Sequence, residues 1–124
     1  MASGVWHDRG VTHDPVQRLL IDTIRPEGDL AFASVEVRRI TMAPDVGPGA
    51  HWHNGPVFGV IEAGSVTFAV DGGPETVLRA GDTFFEPAAT TIDRFDAQGD
   101  GVTFVAWFPL PAGAQGELVR GPYR

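Results

Sequence analysis

Apolar residues along this chain recur in short alternating runs and rarely at helical spacing. Across 31–42, Val35 and Val37 alternate with Ser34 and Glu36, and beyond Arg38-Arg39 the parity shifts to Ile40 and Met42. Such a shift predicts a strand with a bulge, or a bent strand that crosses between two sheets. Residues 57–61 and 66–70 read as two further strands separated by Ala63-Gly64, with Val66, Phe68 and Val70 on one face. Asp71-Gly72-Gly73-Pro74 is a hairpin-turn signal, and Thr76-Val77-Leu78 returns from it. Gly81-Asp82 turns the chain again into Thr83-Phe84-Phe85. Residues 101–108 are apolar on both faces, as expected where a strand is covered by the core on one side and by another subunit on the other. The window 15–24 is ambiguous. Asp14 would cap a helix starting at Pro15, but 16–21 also reads as a strand, and the strand is the preferred reading. The tail from Pro109 reads as a surface loop. Short strands at this spacing predict an all-β antiparallel sandwich or barrel.

Composition narrows the chemistry. A length of 124 residues suits one domain spanning 1–124, large enough to bury a core without covalent staples. Cysteine is absent, which excludes disulfides, thiolate nucleophiles and Cys-containing metal sites. All nine basic residues are arginine, so Schiff-base chemistry through lysine is excluded. The net charge of −7 argues against a nucleic-acid surface. No apolar run approaches the roughly 20 residues of a membrane helix. Residues 1–13 lack the apolar core of a secretion signal, so a cytoplasmic location is expected.

The candidate chemistry centres on His51-Trp52-His53. Two histidines at i and i+2 of an extended segment point to one side of a sheet. Paired imidazoles aimed into one space suit metal binding or acid–base work. Glu86 is the candidate third group. An alternating strand puts Phe84 and Glu86 on one face and Phe85 on the other, but the two faces are equally apolar, so the inward face stays open. Turned inward, Glu86 would complete a two-histidine, one-carboxylate metal triad, or serve as an acid or base with a pKa raised by burial. Turned outward, it would pair with Arg79 or Arg94. Trp52, Phe58, Phe68 and Phe104 are candidates for a substrate-binding wall, with core packing as the alternative. Arg38 and Arg39 either grip an anionic substrate or stand solvated. Asp93 and Asp96 are expected to pair locally near Arg94, Asp82 to cap its own turn, and His7 and His13 to be solvated.

The order of turns and histidines resembles the cupin superfamily of small jelly-roll barrels, over roughly residues 44–108. The family's first motif runs from a glycine through His-x-His and a glutamate to a closing glycine. Its second runs from a glycine through Pro-x-Gly to a histidine and an asparagine. His51 and His53 match the paired histidines, Gly64 the closing glycine, and Gly81 and Pro87 the start of the second motif. The departures are Asp45 at the opening glycine, although Gly47 and Gly49 are close, Val57 at the glutamate, Ala89 at the inner glycine, Ile92 at the third histidine and Asp96 at the asparagine. Half of the family's metal-ligand set is therefore missing.

The resemblance implies a jelly-roll domain with peripheral segments 1–15 and 109–124. It also implies an enzyme that holds a divalent metal ion (Fe, Zn, Ni or Mn) through His51 and His53, helped by Glu86 or water. The substrate would be a small oxygenated organic molecule, with iron–dioxygen redox chemistry as the leading reaction class. The alternatives are a metal-free isomerase, epimerase or cyclase that uses a histidine as base, and a barrel that binds a small molecule without chemistry. A homodimer is expected.

Overall fold

The computed structural model describes residues 15–124 in full and, before them, the backbones of β1 (Trp6–Asp8) and β2 (Val11–His13). The side chains of His7 and His13 lie outside the described residues. The remaining strands are β3 (Ser34–Met42), β4 (His51–His53), β5 (Val57–Val70), β6 (Thr76–Arg79), β7 (Thr83–Glu86), β8 (Ile92–Leu110) and β9 (Leu118–Arg120). The fold is all-β. Strands β1 and β2 form a separate antiparallel pair, and the other strands join one antiparallel sheet in the order β6-β5-β8-β4-β9, with β3 added to β8 and β7 to β5. No helix among the described residues is long and apolar enough to cross a membrane.

Two long strands carry the architecture. The runs read separately as 57–61 and 66–70 are one strand, β5, and the run 101–108 is the second half of β8. The first half of β5 pairs with β7 and with the end of β8, and its second half pairs with β6 and the start of β8. Register shifts fall between Ile61 and Ala63 and between Gly64 and Val66. At this bend Gly64 has φ +76°, and a Cβ there would collide with the carbonyl oxygen of Gly101, itself at φ +69°. Only glycine meets both demands, a left-handed backbone and a close backbone approach. The bend turns the two halves of the sheet towards each other, so that Phe95 and Phe104, both on β8, bring their ring centroids to 4.9 Å. Phe84 joins them at 4.9 Å from Phe95 and 5.8 Å from Phe104. These rings pack with Val57, Ile61, Val66, Ile92 and Ala106 as the core.

Local turn chemistry follows the sequence. Asp71 (φ 49°) and Gly72 (φ 75°) both take the left-handed backbone, and Gly73 N–H donates to the Val70 carbonyl, which is a tight primed hairpin. The Asp93 carboxylate accepts from Gly72 N–H at 2.6 Å, so it braces this turn and does not pair with Arg94. Asp96 does pair with Arg94, at 2.8 Å. Asp82 caps its own turn by accepting from Arg79 N–H at 2.8 Å.

Three expectations need correction. Residues 15–24 form no strand. Leu19, Leu20 and Ile21 stand exposed, and the sheet pairings among the described residues do not include the segment. The parity shift in β3 is not a bulge, because its register with β8 runs unbroken from Ser34↔Leu110 to Met42↔Val102. Ile40 and Met42 pack against the core, while Val35 and Val37 lie on the opposite, exposed face. The tail is not a surface loop throughout. Its residues 118–120 are β9, which pairs with β4 as Asn54 brackets the approach by binding the Gln115 carbonyl and Glu117 N–H.

If the glycine bend sets the two halves of the sheet, Gly64→Ala should lower stability by more than about 2 kcal/mol. Gly99→Ala, where an added Cβ meets nothing within 4 Å, should stay within about 0.5 kcal/mol. Urea midpoints of the two variants provide the comparison.

Candidate metal centre

Strand β4 supplies the histidines. Its alternation buries His51 and His53 and sends Trp52 to the other side, where it meets Tyr123 edge-on at 5.0 Å. Strand β7 supplies the acid. Phe84 lies opposite Gly59 in the register, and its ring occupies the space a Cβ there would need. Phe85 instead contacts Phe58 on the outer side, with centroids 5.0 Å apart. That choice of face carries Glu86 inward, and it is 3% exposed. Glu86 therefore pairs with neither Arg79 nor Arg94, whose guanidinium is held by Glu75 and Asp96.

Glu86 Oε2 lies 3.3 Å from His53 Nε2 and 3.6 Å from His51 Nε2, and it has no hydrogen-bond partner among the described residues. The Nδ1 of His51 lies 2.8 Å from the Gly49 carbonyl oxygen. A carbonyl only accepts, so Nδ1 carries the proton and the lone pair of a neutral His51 is on Nε2, facing the carboxylate. Two electron-rich groups thus face each other in a buried wall. Such an arrangement is stable only with a cation between them, either a shared proton or a metal ion. Burial pulls the pKa of His51 down, but the Glu86 carboxylate and the Gly49 carbonyl outweigh it and hold the ring above the ordinary 6.5. Burial pushes Glu86 up, but the two imidazoles outweigh it and hold the carboxyl below the ordinary 4.5.

The donor set fits a metal ion. One ligand atom from each of His51, His53 and Glu86 lies within 4.8 Å of the others. Ligands at about 2.0–2.2 Å from one ion and separated by roughly tetrahedral or octahedral angles sit about 3.0–3.5 Å apart. The Glu86–imidazole separations of 3.3 and 3.6 Å are close to that range. The Gly49 bond supplies the second hydrogen bond that metal-binding histidines usually make.

These groups open into a cavity of about 270 Å³. Its other walls are mostly apolar and include Ile40, Met42, Phe95, Phe104 and Phe108, with Leu118 and Arg120 from β9. Of the four aromatic residues expected to bind substrate, Phe104 lines this cavity. Trp52 and Phe58 do not, because strand alternation sends them to the far side, and Phe68 packs into the core against Phe84 and Phe95. Arg38 and Arg39 are held by Glu36 and Glu62 at 3.1 and 2.7 Å. Phe95, Phe108 and Arg120 were not among the residues expected at the site. The alternation of Phe95 with Asp96 and Arg94 offered a signal, whereas the triplet Leu118-Val119-Arg120 offered none.

A family model described as a cupin domain matches residues 38–107, more than half of the chain. The chain is a cupin. No curated protein matches it. Among solved structures, DMSP lyase DddQ from Ruegeria pomeroyi DSS-3 is 18% identical, with a TM-score of 0.59 over 68% of this chain and 42% of that one. An uncharacterised conserved protein with a double-stranded β-helix domain from Klebsiella pneumoniae is 17% identical, with a TM-score of 0.57 over 86% and 99%. Bacillus subtilis oxalate decarboxylase, in a structure concerned with its Mn(II) centres, is 19% identical, with a TM-score of 0.52 over 64% and 22%. At these identities the likeness is one of fold, and this cupin spans less than half the length of the lyase chain it matches.

Against the family pattern, the site shows a displaced acid. Val57, at the family's glutamate position, lies directly opposite Glu86 in the β5–β7 register. Ile92, at the third histidine position, lies opposite His51 and is fully buried. Asp45 and Ala89, at two of the family's glycine positions, keep a left-handed backbone with φ of 63° and 50°. These two loops of the cupin take a glycine-type backbone without a glycine.

In metal-free protein, the His51 contribution to stability should be fully present below pH 6.5 and lost as pH rises through the raised folded-state value. The Glu86 contribution should be present above pH 4.5 and lost as pH falls through its lowered value. Urea denaturation across pH should therefore show maximal stability between about 4.5 and 6.5. In Glu86→Gln the alkaline fall should shrink.

Proposed function

We propose that this cupin is a small enzyme that holds one divalent metal ion through His51, His53 and Glu86 and acts on a small oxygenated organic substrate in the adjoining cavity. The observation that carries this reading is the buried, unpartnered Oε2 of Glu86, aimed at two imidazole nitrogens. Two histidines and one carboxylate also form the facial triad of non-haem iron oxygenases, which leaves positions open for reactants. Iron or manganese held there would supply one-electron chemistry with dioxygen, whereas zinc or nickel would supply Lewis acidity; dioxygenase chemistry is the leading class.

The protein's own contribution is positioning and exclusion. Gly49 fixes the tautomer and ring orientation of His51. Phe95, Phe104 and Phe108 present apolar surface to the reacting region and limit water. Glu86 keeps its negative charge despite burial, because the imidazoles hold its pKa down.

A second reading rests on the same pair. The opposed shifts of His51 and Glu86 favour the proton on the imidazole and the charge on the carboxylate, an acid–base pair of the kind a metal-free isomerase or cyclase would use. Metal content separates the two. Untagged protein from metal-replete medium should carry about one equivalent of Fe, Mn, Zn or Ni, and His53→Ala should fall below about a tenth. A wild-type value below a tenth would remove the metal reading. The exchange Val57→Glu with Glu86→Val, which moves the acid to its facing position, should keep more metal than Glu86→Val alone.

This cupin is also proposed to pair with a second copy through the outer face of β3 and β8. Val35, Val37 and Trp107 are 42%, 58% and 38% exposed there, and Val37 and Trp107 are register partners. Light scattering at micromolar concentration should give twice the mass of one chain. Val37→Glu should return the mass of a monomer.

A further inference from the structure

Arg120 carries a charge that no described carboxylate neutralises. Strand β9 pairs with β4 so that Arg120 lies directly opposite His51, and Leu118 opposite His53. Register partners in an antiparallel pair project to the same side of the sheet. Arg120 accordingly lines the same cavity as His51, His53 and Glu86, and it is the lone arginine among the described residues that does so. The chain has 16 acidic residues against nine arginines, so carboxylate partners are in excess. Even so, Arg120 forms no ion pair with any described carboxylate. Among the described residues its side chain makes one hydrogen bond, from Nη1 to the Pro48 carbonyl at 3.3 Å, which orients the guanidinium and leaves most of its donors free.

We infer that Arg120 anchors the carboxylate of the substrate, so that the ligand of this cavity is a small organic monocarboxylate with an apolar body. Guanidinium presents two parallel donors that match a carboxylate, and each charge-assisted bond is stronger than a neutral one. The walls beside it are apolar, and three of them are the rings of Phe95, Phe104 and Phe108. A cavity of about 270 Å³ has the volume of roughly nine liquid waters, which sets the scale of the body. The anchor sits on the strand beside His51, so a carboxylate held there leaves the apolar end facing the rings or its oxygenated carbon facing the histidines. Arg38, the other arginine near the mouth, lines a smaller neighbouring opening and is already held by Glu36.

This inference rests on the proposed enzyme reading for its use of the word substrate, but its test is one of binding and does not require a metal. Benzoate and its neutral isostere benzamide are the probes, titrated by calorimetry into metal-loaded and chelator-stripped protein. Wild type should bind benzoate more tightly than benzamide in both forms. Arg120→Gln should weaken benzoate at least about tenfold and leave benzamide unchanged, while Arg120→Lys recovers part of the loss. Arg120 is exposed at the cavity mouth, so the circular dichroism and metal content of Arg120→Gln should match wild type. Arg120-dependent binding in stripped protein supports the anchor even if native metal content proves negligible and the metal reading fails. Benzoate binding that needs the metal and ignores Arg120→Gln overturns the anchor and leaves the metal reading standing. Equal affinity for acid and amide, or no binding of benzoate, butyrate or phenylpropanoate at millimolar concentration, also overturns it.

Discussion

The site depends on one electrostatic demand. A carboxylate oxygen and two imidazole nitrogens converge in a wall that is almost closed to water, and the carboxylate and the Nε2 lone pair of a neutral His51 repel one another unless positive charge lies between them. Among the described residues no arginine supplies it: Glu86 pairs with none, and Arg120, which lines the same cavity, donates instead to the Pro48 carbonyl. The fold thus builds a place for a cation and leaves the choice between a proton and a metal ion to pH and supply. Protons and metal ions compete for the same lone pairs, so occupancy by either would depend on pH.

The rest of the architecture serves that convergence. Glycines at the bend of β5 and β8 allow one continuous sheet to face itself, and the aromatic core fills the space between. Phe95 and Phe104 belong to both the core and the cavity wall. Packing and site are therefore one body, which holds side chains to the small tolerances that ligand geometry demands. Strand β9 forms part of the cavity wall, since the residues opposite both histidines, Leu118 and Arg120, come from that strand.

Much of this was legible in the sequence. The alternation around Trp52 put His51 and His53 on one side, and the Gly/Pro spacing gave the turns and the all-β class. The orientation of β7 was not legible from Phe84 and Phe85 alone, because both are apolar and equal in size. The deciding residue was Gly59 on the neighbouring strand, whose missing side chain makes room for Phe84. The parity change in β3 misled for a related reason. Apolar residues on both faces of one strand mimic a slip even though only the face of Ile40 and Met42 meets the core and that of Val35 and Val37 is exposed. β9 was invisible because three residues carry too little periodicity, and its pairing is fixed by contacts of Asn54 and Gly121 with distant parts of the chain.

The facing of Val57 and Glu86 bears on how relatives of this protein should be read. Two neighbouring positions across a ladder share one neighbourhood, so either can deliver an oxygen to the same spot. Scored column by column, this chain has forfeited its acid. Scored by ladder rungs, it has kept one. Homologues dismissed as inactive for want of that glutamate should be judged instead by the residue that stands across the rung.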